Sequence, residues 1–381
     1  MRITAIAALV LAALFVSGLA SGTGTWARAQ SAASPHSGAA PSTTGAPKTA
    51  GERFKNIQVL KDIPADQIFP TMQFIAASLG VECDFCHVKG AFEKDDKEQK
   101  QTARKMITMM FAINKDHFGG ERKVTCNTCH HGSAEPAGTP AIPETEPKRE
   151  EAEAANSAAL PNASEVLDHY VKALGGEQAL HKFSSRVEKG TLTGFGPPAP
   201  VEVFAKAPDA RVTVVHTQHG ENVTAYNGQT GWMSGMGPAR PITGGELENE
   251  KRNADFYFAA DIARAFQQVR VMPRIEEIGD HEAYLLVASN PDRPPVQFYF
   301  DKNTGLLLRE TRFVETPLGR NPSQVDYADY RDVDGVKLPF QWTIGRPAGR
   351  FTIKIETVQH NAPIDDARFA APKSPAEGAG R

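Results

Sequence analysis

Cys83-Asp84-Phe85-Cys86-His87 and Cys126-Asn127-Thr128-Cys129-His130 between them use every cysteine in the chain. In Cys-x-x-Cys-His the two thiols can add across the two vinyl groups of a haem, and the adjacent imidazole meets the iron as proximal ligand. Zinc sites also use paired Cys-x-x-Cys, but such knuckles usually lie about 15 to 20 residues apart, and Cys86 and Cys126 are separated by far more. A pair of disulfides or a thiol redox pair would not call for a histidine directly after the second cysteine, and here that histidine occurs twice. The pattern predicts two covalently bound haem c groups, one iron on His87 and the other on His130.

Helical spacing flanks the motifs. Between Pro64 and Leu79 the apolar residues Ile68, Phe69, Met72, Ile75, Ala76 and Leu79 recur at helical intervals, and Gly80 is placed to end the helix. A second helix is predicted from about Lys100 to Asn114, with Ala103, Met106, Ile107, Met110 and Ile113 on one face and Met109 beside it. Methionine is a common filler of apolar cores. Of eight methionines in the chain, however, four fall in these two helices, which makes them candidates for the second iron ligand.

Residues 51–132, with IPADQIFPTMQFIAASLGVECDFCH, KQTARKMITMMFAIN and VTCNTCHHG, resemble the haem-binding repeat of the photosynthetic reaction-centre cytochrome c subunit. In that family each unit is a helix carrying an axial Met, then a loop, then Cys-x-x-Cys-His at the start of another helix. The resemblance implies Met72 as sixth ligand for the haem on Cys83, Cys86 and His87. For the haem on Cys126, Cys129 and His130 it implies Met106 or Met109, with Met110 a third candidate. His117 is a further one, because in that family a His after the Met helix can ligate a neighbouring haem. His131 reads as a surface residue or a hydrogen-bond donor near a propionate. The family carries four motifs and this chain two, so the resemblance transfers the haem-binding module and not the role of donor to a photosynthetic centre.

Outside the module, Arg2, the apolar run Ile3 to Val16 and Ala27-Arg28-Ala29 read as a signal peptide over residues 1–29, with export to the periplasm, free or membrane-associated. The run is too short to serve comfortably as a membrane span, so no integral span is expected in the mature chain. A Ser/Ala/Pro/Gly/Thr-rich stretch makes 30–51 a disordered tether. A Pro/Glu/Ala-rich linker over 134–161 follows the module, assigned to 52–133, and 373–381 is a disordered tail. The formal net charge of −3 gives no pull toward nucleic acid.

Residues 162–372 have another texture. A helix from about Ser164 to Leu180 precedes runs read as strands: 186–194, 201–217, 222–226, 231–234, 283–288, 296–301, 306–314, 324–332, 337–345 and 350–360. Turn signals such as Asn227-Gly228 and Asp334-Gly335 separate several of them, and Asp255 to Gln267 has a helical pattern. Gly228 to Gly245 lacks Gly-Lys-Ser/Thr and is no phosphate loop. The expected architecture is multidomain: a small all-α c-type cytochrome module, then an α+β curved antiparallel half-barrel wrapped over a helix. LDHYVKALGGEQAL, AYNGQTGW and YRDVDGVKLPFQWTI resemble the lipoprotein-carrier half-barrel family. That resemblance implies a bound lipid or other hydrophobic molecule; the alternative is a β domain that docks a partner.

A haem with His and Met on its two axial faces has no open position for substrate. The expectation is therefore a non-enzymatic carrier of single electrons between redox partner proteins, with no catalytic residues. Two rivals are a hydrophobic-ligand carrier whose haems sense redox state, and a dihaem peroxidase, which would need a displaceable ligand and normally keeps its motifs in separate domains.

Overall fold

The computed structural model describes residues 48–136 and 160–372, apart from 195, 236–238, 292 and 347–348. The expected signal peptide, most of the tether and linker, and the tail lie outside the described residues. Residues 48–136 are helical: α1 (Ala50–Arg53), α2 (Ile68–Leu79), α3 (Cys83–Cys86), α4 (Glu98–His117) and α5 (Cys126–His130). The long helix runs about three residues past the predicted Asn114, because polar Lys115, Asp116 and His117 continue the backbone pattern without adding to the apolar stripe.

The end of α2 ties the two cysteine motifs together. Gly80 closes the helix in the left-handed region at φ 65°, with the Val81 N–H returning to the Ala76 carbonyl at 3.0 Å. The Gly132 N–H, just beyond the second motif, donates to the Ser78 carbonyl at 2.9 Å. A Cβ at Gly80 would sit 2.1 Å from the Gly132 carbonyl oxygen, so both the backbone conformation and the close approach require glycine there.

The second part opens with α6 (Ala163–Leu174) and α7 (Glu177–Leu180), separated at Gly175 and Gly176. An antiparallel sheet follows: β1 (Ser185–Thr193), β2 (Ala199–Lys206), β3 (Ala210–Thr217), β4 (Gly220–Asn227), β5 (Gly231–Ser234) and β6 (Arg240–Ile242). After α8 (Gly244–Ala254) and α9 (Phe258–Asp261) come β7 (Gln268–Ile278), β8 (His281–Ser289), β9 (Val296–Asp301), β10 (Leu307–Thr316), β11 (Gly319–Val333), β12 (Val336–Arg346) and β13 (Gly349–His360). The spatial order is β6-β5-β4-β3-β2-β1-β13-β12-β11-β10-β9-β8-β7: two meanders joined where β1 pairs with β13. The sheet is open and curved, and irregular register in β1, β7 and β10 adds local bending. Val166, Leu167, Tyr170 and Leu174 of α6 bury against Leu286, Phe298, Phe300 and Leu307 of the sheet.

The described parts of the chain share a core across the two regions. Leu318, in the turn between β10 and β11, is 0% exposed and packs with Leu60, Phe74, Ile107 and Met110 of the helical segment. Beside it Gly319 leaves room for the Phe74 ring, which a Cβ would meet at 2.2 Å. Asn321 donates from Nδ2 to the Pro70 carbonyl at 2.9 Å. Arg122 reaches the Thr316 carbonyl at 2.6 Å and pairs with Glu315. Leu318→Ala should leave a cavity in this shared core and cost about 2–5 kcal/mol, checked by chemical denaturation of the full chain.

Candidate functional site

Each cysteine motif forms a short helical turn at the wall of its own apolar cavity. The first cavity, about 610 Å³, is lined by Phe69, Met72, Cys83, Cys86, His87 and Phe92 among others. The second, about 310 Å³, has Phe85, Met106, Met109, Cys126, Cys129 and His130 in its wall. Both volumes fall in the range of roughly 300–1,000 Å³ usual for small-molecule and cofactor sites. Ile75, Cys86, Ala103 and Ile107 line both, so the two cavities adjoin. All four thiols are free, and burial pushes those of Cys86 and Cys126 up, which keeps them neutral.

The two histidines are held alike. His87 donates from Nδ1 to the Phe92 carbonyl at 3.0 Å, and His130 donates from Nδ1 to the Ser133 carbonyl at 3.0 Å. A carbonyl can only accept, so the proton sits on Nδ1 in each ring. That leaves the Nε2 lone pair available, the arrangement that orients a metal-ligating imidazole.

The sequence candidates separate by burial. Met72 lies half-buried on α2 in the wall of the first cavity. On α4, Met106 (39% exposed) and Met109 (47%) face the second cavity, whereas Met110 is 4% exposed and belongs to the core shared with Leu318. His117 is exposed at the end of α4 and lines neither cavity. His131 is exposed and terminates α5 at φ 48°. Among the described residues, no group of three or more His, Cys, Asp or Glu is placed to hold a bare metal ion.

A loop of mixed charge that includes Glu93, Lys94 and Asp95 fixes the first site. Lys100, 8% exposed, donates from Nζ to the carbonyls of Phe92 (2.9 Å), Glu93 (3.1 Å) and Lys94 (2.7 Å) and pairs with Asp95 at 3.0 Å. Arg104 grips both Asp95 oxygens at 2.9 Å, and Asn56 adds another donor to that carboxylate. These hydrogen bonds, from Arg104 first and then Lys100 and Asn56, hold the Asp95 carboxyl well below the usual range. Mixed charges in sequence gave no sign that one lysine would turn inward. At the second site, Asn114 plays the organising part: its Oδ1 accepts from the Lys123 and Val124 N–H groups at 3.0 and 2.9 Å, and its Nδ2 donates to the Val124 carbonyl at 2.7 Å.

The stabilisation from Asp95 should be complete above about pH 4, its unfolded-chain range, and fade as pH falls toward the depressed folded-state value. Asp95→Asn should abolish that acid-dependent component, measured by amide hydrogen exchange over residues 88–97 as pH is lowered. Asn114→Ala should remove the partners of the Val124 N–H and carbonyl, while the Lys123 N–H keeps the Glu121 carbonyl, and should cost about 1–3 kcal/mol in denaturant unfolding.

Residues 21–186 match the family described as photosynthetic reaction centre cytochrome C subunit. Over 89 residues the chain is 37% identical to the photosynthetic reaction center cytochrome c subunit of Thermochromatium tepidum, covering 22% of each protein. Over 85 residues it is 34% identical to cytochrome c-554 of Chloroflexus aurantiacus, covering 20% of each. The chain thus spans about a fifth of the length of these curated relatives. Among solved structures, a LolA superfamily protein from Nitrosomonas europaea aligns at 12% identity and TM-score 0.39, over 56% of this chain and 99% of that one. A putative outer membrane lipoprotein-sorting protein domain from Vibrio parahaemolyticus aligns at 8% identity and TM-score 0.39, over 55% and 97%. The N-terminal part of the chain is similar to reaction-centre cytochrome c subunits, and the solved structures that align with the chain include a LolA superfamily protein.

Proposed function

We propose that this chain is an exported dihaem c-type cytochrome that carries single electrons, with residues 52–133 as its haem module and 162–372 as a β domain that supports it. The observation that carries this reading is where the exposed apolar side chains lie. Every large apolar residue exposed among the described residues falls between Phe54 and Phe118. Phe54, Phe69 and Phe92 border the first cavity, and Phe85, Met106 and Met109 the second. Apolar surface gathered around two cavities, each containing a Cys-x-x-Cys-His turn, suits a large apolar group that would cover it.

In this reading Cys83 and Cys86 hold one haem covalently and Cys126 and Cys129 the other, with His87 and His130 as proximal ligands. Met72 supplies the opposing thioether at the first site, and Met106 or Met109 does so at the second, while Met110 serves the core. A bound haem supplies a one-electron ferric/ferrous couple. The chain's own residues fix the imidazole tautomer, exclude water with aromatic and aliphatic walls, and set the two sites side by side through Ile75, Ala103 and Ile107. Redox partner proteins would exchange electrons through the exposed margins. The contacts of Leu318, Asn321 and Glu315 with the helical segment favour a supporting role for the sheet. Saturable binding of an apolar probe, or lipid that co-purifies, would instead make hydrophobic-ligand carriage the sheet's activity.

Protein made with a haem-maturation system should keep two haems after denaturation, read by intact mass and the Soret band. Cys83→Ala and Cys126→Ala should each disrupt one attachment, while stoichiometric zinc without Soret absorption would overturn the reading. Met72→His should keep its haem low-spin and lower that haem's potential, since imidazole stabilises ferric iron better than thioether does. Met106 and Met109 variants read in the same way would identify the second thioether.

A further inference from the structure

The two sites look equivalent in sequence but differ in what lies behind the proximal imidazole. At the first, the Phe92 carbonyl accepts two hydrogen bonds: His87 Nδ1–H at 3.0 Å and the Lys100 ammonium at 2.9 Å. A carbonyl oxygen has two lone pairs and can serve both donors. A strong acceptor on Nδ1–H raises the basicity of a metal-bound imidazole. An ammonium on the same oxygen draws electron density from that acceptor and opposes this. At the second site the Ser133 carbonyl takes the His130 Nδ1–H, and among the described residues no Lys or Arg hydrogen bond reaches it.

The charges in the cavity walls differ in the same sense. Arg53, Lys55, Lys100 and Arg104 line the first cavity, against Glu82 and Glu93. Asp95 is one carboxylate shared by two of those cations, which leaves a positive surplus. Apart from His130, the charged side chain described in the wall of the second cavity is Glu98. Positive charge near an iron site disfavours its oxidised, more positive form.

We propose that Lys100 is a positioning residue acting through the Phe92 carbonyl on His87, and that it makes the haem on Cys83 and Cys86 the higher-potential member of the pair. This rests on the ligation proposed above and adds a direction: an electron entering at the second haem settles on the first.

The test uses the full chain with both haems in place. Two midpoints are separated by spectroelectrochemical titration, and paramagnetic NMR assigns them, because the Phe92 ring lies 5.3 Å from the His87 ring and marks the first haem. The haem near Phe92 should have the higher midpoint. Lys100→Gln should lower that midpoint by up to about tenfold in the one-electron equilibrium, about 59 mV, and leave the other unmoved. Lys100→Arg, which keeps the charge, should lower it less. A lower midpoint for the Phe92-side haem, or a Lys100→Gln variant that moves neither or both equally, overturns the proposal. If Lys100→Gln fails to take up haem, the wild-type assignment and Lys100→Arg decide. Wild-type protein lacking two covalent haems by mass would be a failure of the ligation reading itself, and the mass distinguishes that case from a wrong midpoint order.

Discussion

The helical segment has too little core of its own, and this shortage organises the rest of the molecule. Its innermost cluster consists of Leu60, Phe74, Ile107 and Met110, and the fifth member, Leu318, comes from the sheet. Small segments bury a smaller fraction of their surface than large domains do, and a staple, a metal or a partner adds what such a core lacks. Here the shortage is met from two directions. The turn between β10 and β11 seals one side, while aromatic and methionine side chains on the other surround the two cavities. A covalent cofactor in each would act as core as much as redox centre.

The positions of the two motifs and their flanking helices were legible because they rest on adjacent residues. Two Cys-x-x-Cys-His runs, the break at Gly80 and the Met-rich stripe of α4 are local patterns, and local patterns survive folding. The apolar run of β8 and the alternation of β9 were legible for the same reason. β7 was not: Pro273 interrupts its alternation, its register against β8 shifts between Val271 and Ile275, and it lies at a sheet edge where both are tolerated. α8 was missed because its residues are mainly charged or polar and its first turn holds Gly244 and Gly245, leaving no apolar stripe to detect. The run read as a single strand over 201–217 is in fact β2 and β3, with Pro208 and Asp209 between them.

What sequence could not reveal is long-range. Nothing in Leu318 or Gly319 signals that they meet Phe74, some 250 positions upstream. Lys100 sits in a helix face that composition assigns to solvent, yet three successive carbonyls and a carboxylate supply the acceptors that make burial of its charge affordable. The loop from Phe92 to Asp95 takes its shape around that ammonium. His87 depends on the same loop for its hydrogen bond, so the orientation of the first imidazole follows from a residue thirteen positions away.

The two sites therefore answer to different parts of the structure. The first is fixed from within the helical segment, through Asn56, Asp95, Lys100 and Arg104. The second is approached by the strand of chain from Arg122 to Thr125, which Asn114 holds from α4 and Arg122 anchors to Glu315 and Thr316 at the end of β10. A displacement of the β10–β11 turn would reach the second motif through Arg122, and the wall of the first cavity through Leu60 and Ile107, which pack with Leu318. The sheet is thus a support that meets the helical segment both at α2, through the Phe74 ring and the Pro70 carbonyl, and at Arg122 ahead of the second motif.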